Sequence, residues 1–409
     1  MPTYQTAANV LVALAAEAAG TPGTAALVGA ADAKLLRIID SPGLVKHFGK
    51  IVSAEKRDDG EVPLPRHGGI TVDGSYNTEL TVGGAQDVLL QAIKRSTWVA
   101  ENIAMTCDGG AVWTSIQATA VNVLTLVGTG SFITQGFKVG DLVKITAVVT
   151  NLNKIGMVSI VAANTLTFFG SPFALEAADP NAVLTIMKKV KTATTPTRRS
   201  FTFEQYEQDH DRSQLFLGCR PTELRLSFKP NAHALATWSL LGMDRTILDV
   251  GTSPWFTLPP AATTGLALIA DDSTICYNGA AVAHFTGFDL TFTINAAGQP
   301  VIGSQVSPDI FDNDVSVSGT ITALRSDFSN LTLYDADTQF EVGIHLHEPG
   351  ALPQGGFGFF LPRCTLGEAS APAGGGDGAL IETLALNTGP KVAAATYDAG
   401  TCTISSTGV

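Results

Sequence analysis

The feature that most constrains the fold is an alternation of apolar and polar residues over short runs. Residues 70–82, ITVDGSYNTELTV, alternate in this way, and the run ends at Gly83 and Gly84. Further strands are indicated at 199–203, 224–229, 234–240, 288–295, 314–324, 340–346, 357–361 and 379–386. Successive side chains of a strand point to opposite faces, so the alternation predicts half-buried strands. Because no long run has helical periodicity, the sequence predicts a mainly β protein.

Short helices are expected beside these strands. Residues 85–93 place apolar side chains on one helical face, with Asp87 in the first turn, where the helix dipole favours an acid. A helical turn is also indicated near 331–337, and the Ala-rich run 10–19 is predicted to form a short helix. The repeated order of strand and then helix suggests two related halves.

The strands become shorter and more closely spaced between residues 113 and 190. The runs there are NVLTLV, LVKITAVV, MVSIV, TLTFF and VLTIMKKV, divided by Gly, Asn and Pro turns. Five strands at this spacing predict a small closed barrel or sandwich. We therefore expect an inserted, barrel-like β-domain at 113–190. The remaining chain divides into an N-terminal arm with the first part of the core at 1–112, the second part of the core at 191–390, and a C-terminal tail at 391–409.

The pattern fades in two kinds of segment. Residues 244–281 are rich in Pro and Gly and are predicted to be a connection, and 370–378 are Ala/Gly-rich and predicted to be flexible. The two ends, 1–43 and 371–409, are expected to be poorly ordered in an isolated subunit and ordered by neighbouring subunits in an assembly.

Composition and charge exclude some classes of partner. The 409 residues suit two or three domains, and only 15% are charged, so burial of surface against further copies of the chain is expected. Residues 251–409 carry 15 acidic side chains against Arg325, Arg363 and Lys391, which accounts for the whole net charge of −12. Phosphate binding needs clustered Lys and Arg, so this half is expected to repel nucleic acid and not to grip it.

The cysteines and the N-terminal residues indicate the cellular compartment in which the protein folds. Five cysteines lie far apart without a C-x-x-C pair, which indicates reduced, packed thiols and neither a disulfide framework nor structural zinc. The first residues lack a basic region, and Glu17, Gly20 and Pro22 interrupt the apolar stretch 10–31. Neither a signal peptide nor a membrane span is predicted, and assembly in a cytoplasm is expected.

The search for catalytic motifs finds no signature, so no enzyme and no cofactor are predicted. Residues 43–50 resemble a phosphate-binding loop but have the wrong glycine spacing, and Ile51 stands where the hydroxyl is required. A Gly-x-Ser-x-Gly elbow is absent, and Gly356 and Gly358 lack the third glycine of a dinucleotide-binding fingerprint.

Two clusters could bind a metal ion. In a strand, His345 and His347 would point to one face, and Glu348 or Asp337 could be a third ligand. The alternative, which we favour for this pair, is a polar strand face exposed to solvent or to a neighbouring subunit. The second cluster contains Asp309, Asp312 and Asp314, for which a calcium site or paired catalytic acids compete with a solvated acidic loop. We favour the solvated acidic loop, because the Gly and the distant Glu that an EF-type calcium loop needs at fixed positions are missing. Residues 209–211 (Asp-His-Asp) are read as a surface turn.

One ordered set of segments resembles a known family. The segments are RSFTFEQ at 199–205, QLFLGC at 214–219, LRLSFKPN at 224–231 and TWSLLG at 237–242. This order resembles tail tube proteins of long-tailed bacteriophages (siphophages), and GFKVGD at 136–141 and FFLPR at 359–363 agree with it. The resemblance extends over most of residues 40–390, although it leaves 244–281 and the chain after 387 unassigned.

The resemblance implies a fold and a function. The fold would be a tail-tube β-sandwich or barrel flanked by a short helix, with the inserted domain on the outer surface. Six copies would close into a ring, and rings would stack through arms and loops into the conduit for DNA ejection. The implied partners are copies of the chain, tail tip and tail terminator proteins, the tape measure protein, and then DNA in the lumen without specific binding. The implied location is the tail of the virion.

The same resemblance gives the acids of the second half a possible role. Some acids among Asp289, Asp309, Asp312, Asp314 and Asp327 are predicted to line the lumen and keep its potential negative, so that DNA slides without sticking. The alternative for these acids is the outer face, where net charge keeps tails soluble. The alternative function is a carbohydrate- or cell-surface-binding β module of a phage particle, and a hydrolase on a β scaffold ranks third.

Overall fold

The computed structural model describes residues 4–26, 32–257, 259–263, 265–348, 355–370 and 378–408. Strands β1 to β4 are Val10–Ala16, Lys34–Leu36, Gly43–Ile51 and Arg66–Glu79. Strands β5 to β12 are Asn102–Thr106, Ser115–Ala120, Val123–Val127, Leu142–Thr146, Ile155–Val161, Thr165–Phe168, Glu176–Asp179 and Val183–Ile186. Strands β13 to β25 are Lys188–Val190, Phe201–Glu207, Arg212–Phe228, Leu235–Gly242, Asp244–Leu248, Ser273–Tyr277, Ala280–Val282, Phe285–Gly298, Ile310–Leu324, Phe340–His347, Gly356–Ser370, Ile381–Thr388 and Thr403–Ser406. Helices α1 to α3 are Gly84–Ile93, Phe132–Gln135 and Ser329–Asp335, with single 3-10 turns at Ala7–Asn9 and Ala270–Asp272. The protein is mainly β, as predicted.

The larger, antiparallel sheet forms what we call the body, made of β1 to β4 and β13 to β25. Its strands follow the order β3, β4, β16, β15, β20, β21, β24, β23, β22, β18 and β19. The first half of the long strand β15 instead pairs with β14 and β17, and β14 continues to β1 and β2. We call β4, β16, β15, β20, β21 and β24 the first layer, and β23, β22 and β18 the second layer.

The main core lies between these two layers. The ring of Phe228 in the first layer stacks on Phe288 at 5.9 Å between centroids and lies 6.1 Å from Phe359 in the second layer. Trp238 and Tyr76 are fully buried in the same core. Alternation produces this arrangement, because every second residue of each first-layer strand points inward.

Helix α1 follows β4, as the sequence predicts for 85–93, and closes one end of the core. Its apolar side chains Leu89, Leu90 and Ile93 are fully buried. Asp87 lies in the first turn, where its carboxylate accepts a hydrogen bond of 2.5 Å from the Nζ of Lys188. Helix α3 lies where the second helical turn was predicted.

The prediction of a short helix at 10–19 is wrong, because Val10–Ala16 forms strand β1. This strand lies between β14 and β2 in the sheet and is covered on both faces. Val12 and Leu14 enter the main core, whereas Ala13 and Ala15 pack in a smaller cluster with Trp255. A strand buried on both sides shows no alternation, so the Ala-rich run suggested a helix.

The predictions of a connection at 244–281 and of poorly ordered ends are also wrong in part. Strand β17 at Asp244–Leu248 pairs with β15, and β18 and β19 form a hairpin in the second layer. Near the C-terminus, β25 at Thr403–Ser406 is held between β13 and β23, and Ile404 is fully buried. Residues 1–3, 27–31, 371–377 and 409, to which the predictions on the ends also applied, lie outside the described residues.

The second sheet, which we call the insert, contains β5 to β12. Its strand order is β11, β6, β7, β10, β9, β8, β12 and β5, so it has eight strands where the sequence suggested five. It begins at Asn102, ahead of residue 113, because β5 pairs with β12 and Asn102 lies opposite Ile186. It has its own core, which includes Phe132 and Phe168.

The insert packs on the second layer of the body, on the face that points away from the main core. Phe359 of β23 points into the main core, and its neighbour Phe360 points the opposite way into the core of the insert. Gly140 of the insert has a φ of +86°, and a Cβ there would lie 2.2 Å from the ring of Phe360. The insert and the open face of the first layer are therefore on opposite sides of the body.

Candidate functional site

The first layer presents an open face rich in hydroxyl side chains. Cross-strand register places the following residues side by side on this surface, which we call the hydroxyl face: Asp73, Ser75, Asn77, Glu79, Leu235, Thr237, Ser239, Leu241, Glu223, Arg225, Ser227, Asp289, Thr291, Thr293, Ser316, Ser318, Thr320, Thr322, Thr383, Ala385 and Asn387. Directly opposed residues of paired strands lie on the same face of a sheet. The face is thus continuous over six strands.

Its few charges are mostly acidic. Four acids, Asp73, Glu79, Glu223 and Asp289, stand on this face against Arg225. Arg225 is already engaged, since its Nε donates to the Glu223 carboxylate at 2.6 Å. The hydroxyl face therefore offers hydrogen-bonding groups and a mildly negative potential, without a cluster of cations among its residues.

The structure does not bring the five predicted lumen acids together. Asp289 is exposed on the hydroxyl face, between Ser227 and Thr320 of the neighbouring strands. Asp309 and Asp312 are held by Arg220, with N–O distances of 2.7 and 3.3 Å. The same guanidinium donates to the carbonyl oxygen of Ile310, so these two acids serve to close a buried site beside the β20–β21 hairpin.

The other two predicted acids also lie apart. Asp314 is exposed near the start of β21 and lines a cavity of about 240 Å³ with Lys94 and Arg95. Asp327 precedes helix α3, and hydrogen bonds from the side chain of Ser329 and, at 2.8 Å, from its backbone N–H lower the pKa of the Asp327 carboxyl. Spacing along the chain could not show this, because register shifts and the partner Arg220 decide where each acid points.

The β3–β4 hairpin ends in a long loop, residues 52–65, that sequence reasoning missed. Its apolar side chains are in solvent, with Val62 76% and Leu64 90% exposed, and Val52 at its start is 54% exposed. The signal in the sequence is the segment VPLP at 62–65. Its apolar residues alternate with prolines, and exposed apolar patches of this kind often mark interaction sites. We call residues 52–65 the tip loop.

The histidine pair lies where the insert covers the body. His345 and His347 point to one face of β22, as predicted, with ring centroids 5.7 Å apart. The alternative of an exposed polar face is wrong, because His345 is only 6% exposed and His347 is partly covered. Burial lowers the pKa of His345 to about 3, and burial also lowers the pKa of His347.

The predicted third ligands do not join this pair. The carboxylate of Glu348 accepts a hydrogen bond of 2.9 Å from the backbone N–H of Leu266, and Asp337 lies in the turn after α3. Across the described residues, no three or more His, Cys, Asp or Glu side chains converge as metal ligands. In the Asp209–Asp211 turn, Asp209 accepts hydrogen bonds from Thr6 and Asn9.

All five cysteines are buried as free thiols.

None of the described helices is long and apolar enough to cross a membrane.

Comparison with known families settles the class of protein. A family model described as phage tail tube protein matches residues 7–388, which is nearly the whole chain. The chain belongs to the phage tail tube protein family. No curated protein matches it. The resemblance derived from the segments between 199 and 242 is confirmed at the level of this family.

The family assigns this tail tube protein a structural role in the virion tail, where it assembles with copies of itself and with other tail proteins. The match includes the insert and all strands of the body except β25, and it ends at Thr388, the last residue of β24. The hydroxyl face and the tip loop, which are exposed in the single subunit, are therefore candidate contact surfaces in such an assembly.

Proposed function

We propose that six copies of the tail tube protein close into a ring and that rings stack into the conduit through which a long-tailed, non-contractile phage ejects its DNA. The observation that carries this is the hydroxyl face, a six-stranded open surface with a core behind it and little charge on it. Rings formed in the host cytoplasm would join these faces side by side into one continuous inner wall. Closing the sheet into a ring also removes exposed strand edges.

The chemistry of the hydroxyl face suits a wall along which DNA slides. Lys and Arg side chains would neutralise phosphates and retain the strand, because release of counterions favours such contacts. Ser and Thr hydroxyls stay hydrated and carry no charge, and Asp289 and Glu79 add repulsion towards phosphate. We therefore place Asp289 in the lumen and remove Asp309 and Asp312 from the predicted set, since Arg220 binds both carboxylates and Arg198 lies 3.8 Å from that of Asp312.

The tip loop supports stacking of one ring on the next. Val62 and Leu64 are bulky and apolar, and full burial of such a side chain contributes about 1.5 to 3 kcal/mol. In the stack, the tip loop of each subunit would pack against the adjacent ring. The first and last rings of a tube would each lack a neighbouring ring on one side. Tail tip and tail terminator proteins would bind these two uncovered surfaces. The tape measure protein would occupy the lumen before DNA.

A helical reconstruction of tubes formed by the purified protein tests the proposal. The expected result is six subunits a ring, the hydroxyl face with Asp289 turned to the lumen, and the tip loop between rings. A tube whose inner wall is formed by another surface, or whose lumen carries net positive side chains, would contradict the assignment of this face. A ring with a different number of subunits would contradict the hexamer alone.

The insert should project from the outside of the tube. It lies on the second layer, opposite the hydroxyl face, so a lumen lined by the hydroxyl face leaves the insert outside. Its two ends lie side by side, because Asn102 pairs with Ile186. We propose that the insert is a separable decoration that adds no contact needed for the tube.

Replacing residues 102–186 by a short Gly/Ser bridge is therefore expected to leave tube formation intact. The excision uncovers Phe360, so the variant also carries Phe360→Thr to avoid an exposed ring. Electron microscopy and sedimentation measure the tubes, and circular dichroism measures folding, with Phe360→Thr in the full chain as the control. A truncated protein that folds but does not form tubes, or one that does not fold at all, would show that the insert is not separable.

A further inference from the structure

A cavity of about 310 Å³ lies at the junction of insert and body and contains the histidine pair. Its floor is β22, with His345 and His347, and its roof belongs to the insert, where Lys154 and Phe169 line it. On the neighbouring strand β23, Gly358 and Gly356 lie opposite the two histidines. The insert packs closely on this strand, since a Cβ at Gly358 would lie 2.9 Å from Met157 and 3.1 Å from Leu142.

The cavity contains polar atoms that the described residues leave without partners. Nε2 of His345 and Nδ1 of His347 belong to residues that line it, and Oδ2 of Asp272 belongs to a residue beside His347. All three atoms are buried, and no hydrogen-bond partner for them occurs within the described part of the chain. Asp272 directly precedes Ser273, the residue of β18 that pairs with Leu346, and its charge acts on the neighbouring His347. Buried polar atoms normally have a partner, so three together indicate a ligand.

We propose that the cavity binds one divalent transition-metal ion of the zinc type through the imidazoles of His345 and His347. Two imidazoles on one ion, with metal–nitrogen bonds of about 2.1 Å and a near-tetrahedral angle, have ring centres roughly 5 to 6 Å apart. The observed separation is 5.7 Å. Imidazole nitrogen suits Zn²⁺, Ni²⁺, Co²⁺ and Cu²⁺ better than Mg²⁺ or Ca²⁺, which prefer oxygen ligands.

Water would complete the coordination of the ion. The charges around the cavity would set the affinity of the site for it. The Asp272 carboxylate beside His347 would provide negative charge that attracts a cation and would accept a hydrogen bond from a water on the ion. Lys154 at the roof opposes the cation. Thr274, which pairs with His345 across the strands, offers a hydroxyl to a second water. Such an ion would sit between body and insert.

Titration of the purified full-length protein with CoCl₂ and ZnCl₂ tests the site. The expected result is one ion per chain, with cobalt absorption bands in the visible range that zinc abolishes. His347→Gln should weaken binding at least tenfold, and His345→Gln should do the same. Lys154→Gln should tighten it, because a positive charge is removed from the roof. Circular dichroism and the unfolding midpoint show whether each variant is folded.

Two matched controls separate this site from general binding to histidine. His210→Gln and His284→Gln remove imidazoles outside the cavity and should leave the stoichiometry and affinity unchanged. Absence of stoichiometric binding in the unaltered protein would overturn the proposal. So would equal binding by the folded His347→Gln variant, or a loss of binding that the control variants share. None of these outcomes bears on tube formation.

Discussion

Replacing Lys189 with methionine is expected to lower the free energy of unfolding by about 3 to 5 kcal/mol, the usual cost of leaving buried charges without a partner. The Nζ of Lys189 lies 2.5 Å from a carboxylate oxygen of Asp141 and 2.6 Å from one of Asp398. The three side chains are nearly inaccessible, with exposures of 10, 1 and 9%. Methionine keeps the volume of the chain but leaves two carboxylates facing each other in a dry site.

The location of this ion cluster adds to the expected effect. Asp141 belongs to the insert, Lys189 to strand β13 of the body, and Asp398 to the C-terminal segment before β25. The backbone N–H of Val139 also donates to the carbonyl oxygen of Thr396, so the C-terminal segment lies against the insert. Loss of Lys189 should therefore loosen the insert from the body as well as destabilise each.

The pH dependence of the variant provides a second measurement. Burial raises the pKa of Asp141, an effect that Lys189 opposes in the unaltered protein. Without Lys189 the folded pKa of Asp141 should rise further above its ordinary value of 3.8. A raised carboxyl pKa gives stability that is present at low pH and is lost as pH rises through the folded value. The variant should accordingly recover part of its stability as the pH is lowered from 8 towards 4.

Lys191→Met is the matched control for this experiment. Lys191 contacts the same Asp398 at 2.6 Å, but its side chain is 37% exposed. Surface ion pairs contribute about 0 to 1 kcal/mol, so this variant should unfold close to the unaltered protein. Chemical denaturation of both variants measures the difference. Equal effects of the two substitutions, or a loss below 1 kcal/mol for Lys189→Met, would show that the buried cluster does not stabilise the junction.

Part of this fold could be predicted because one face of most strands is buried and the other is open. Such strands alternate, which is why Arg66–Glu79 and Phe285–Gly298 were found near their true positions. Strand β1 is buried on both faces and lacks the alternation. Strand β25, Thr403–Ser406, is a short run whose buried residues include two serines, so neither hydrophobicity nor period indicated it.

The candidate surfaces were less predictable because they depend on partners distant in sequence. Asp289 and Asp312 look alike in the sequence, yet one is exposed beside Thr320 and the other binds Arg220. The open face of a strand is the one that no second layer covers. The pairing register decides which side chains lie on that face, and the register depends on strands that are distant in sequence. The histidine pair shared a face as predicted, but its burial depends on the insert that covers it.

Replacing Val62 and Leu64 together with aspartate is expected to abolish tubes at concentrations where the unaltered protein forms them. Both side chains are mainly in solvent in the single subunit, so the substitution should change its free energy of unfolding by no more than about 0.5 kcal/mol. If each side chain is buried by the adjacent ring, the loss is about 3 to 6 kcal/mol per subunit. That corresponds to a rise in the critical concentration for assembly of roughly 10² to 10⁴-fold.

Sedimentation of a concentration series gives the critical concentration, and electron microscopy shows whether single rings persist. Rings without stacks would place the tip loop at the contact between rings, whereas dispersed subunits would place it within the ring and contradict the stacking role. The control carries the same charge change on the insert, at Val149 and Ile160, which are 87 and 59% exposed. If the insert lies outside the tube, as we propose, Val149→Asp with Ile160→Asp should assemble normally. Tubes that form equally well from the tip-loop variant, or fail equally in the control, would mean that these apolar side chains do not drive stacking.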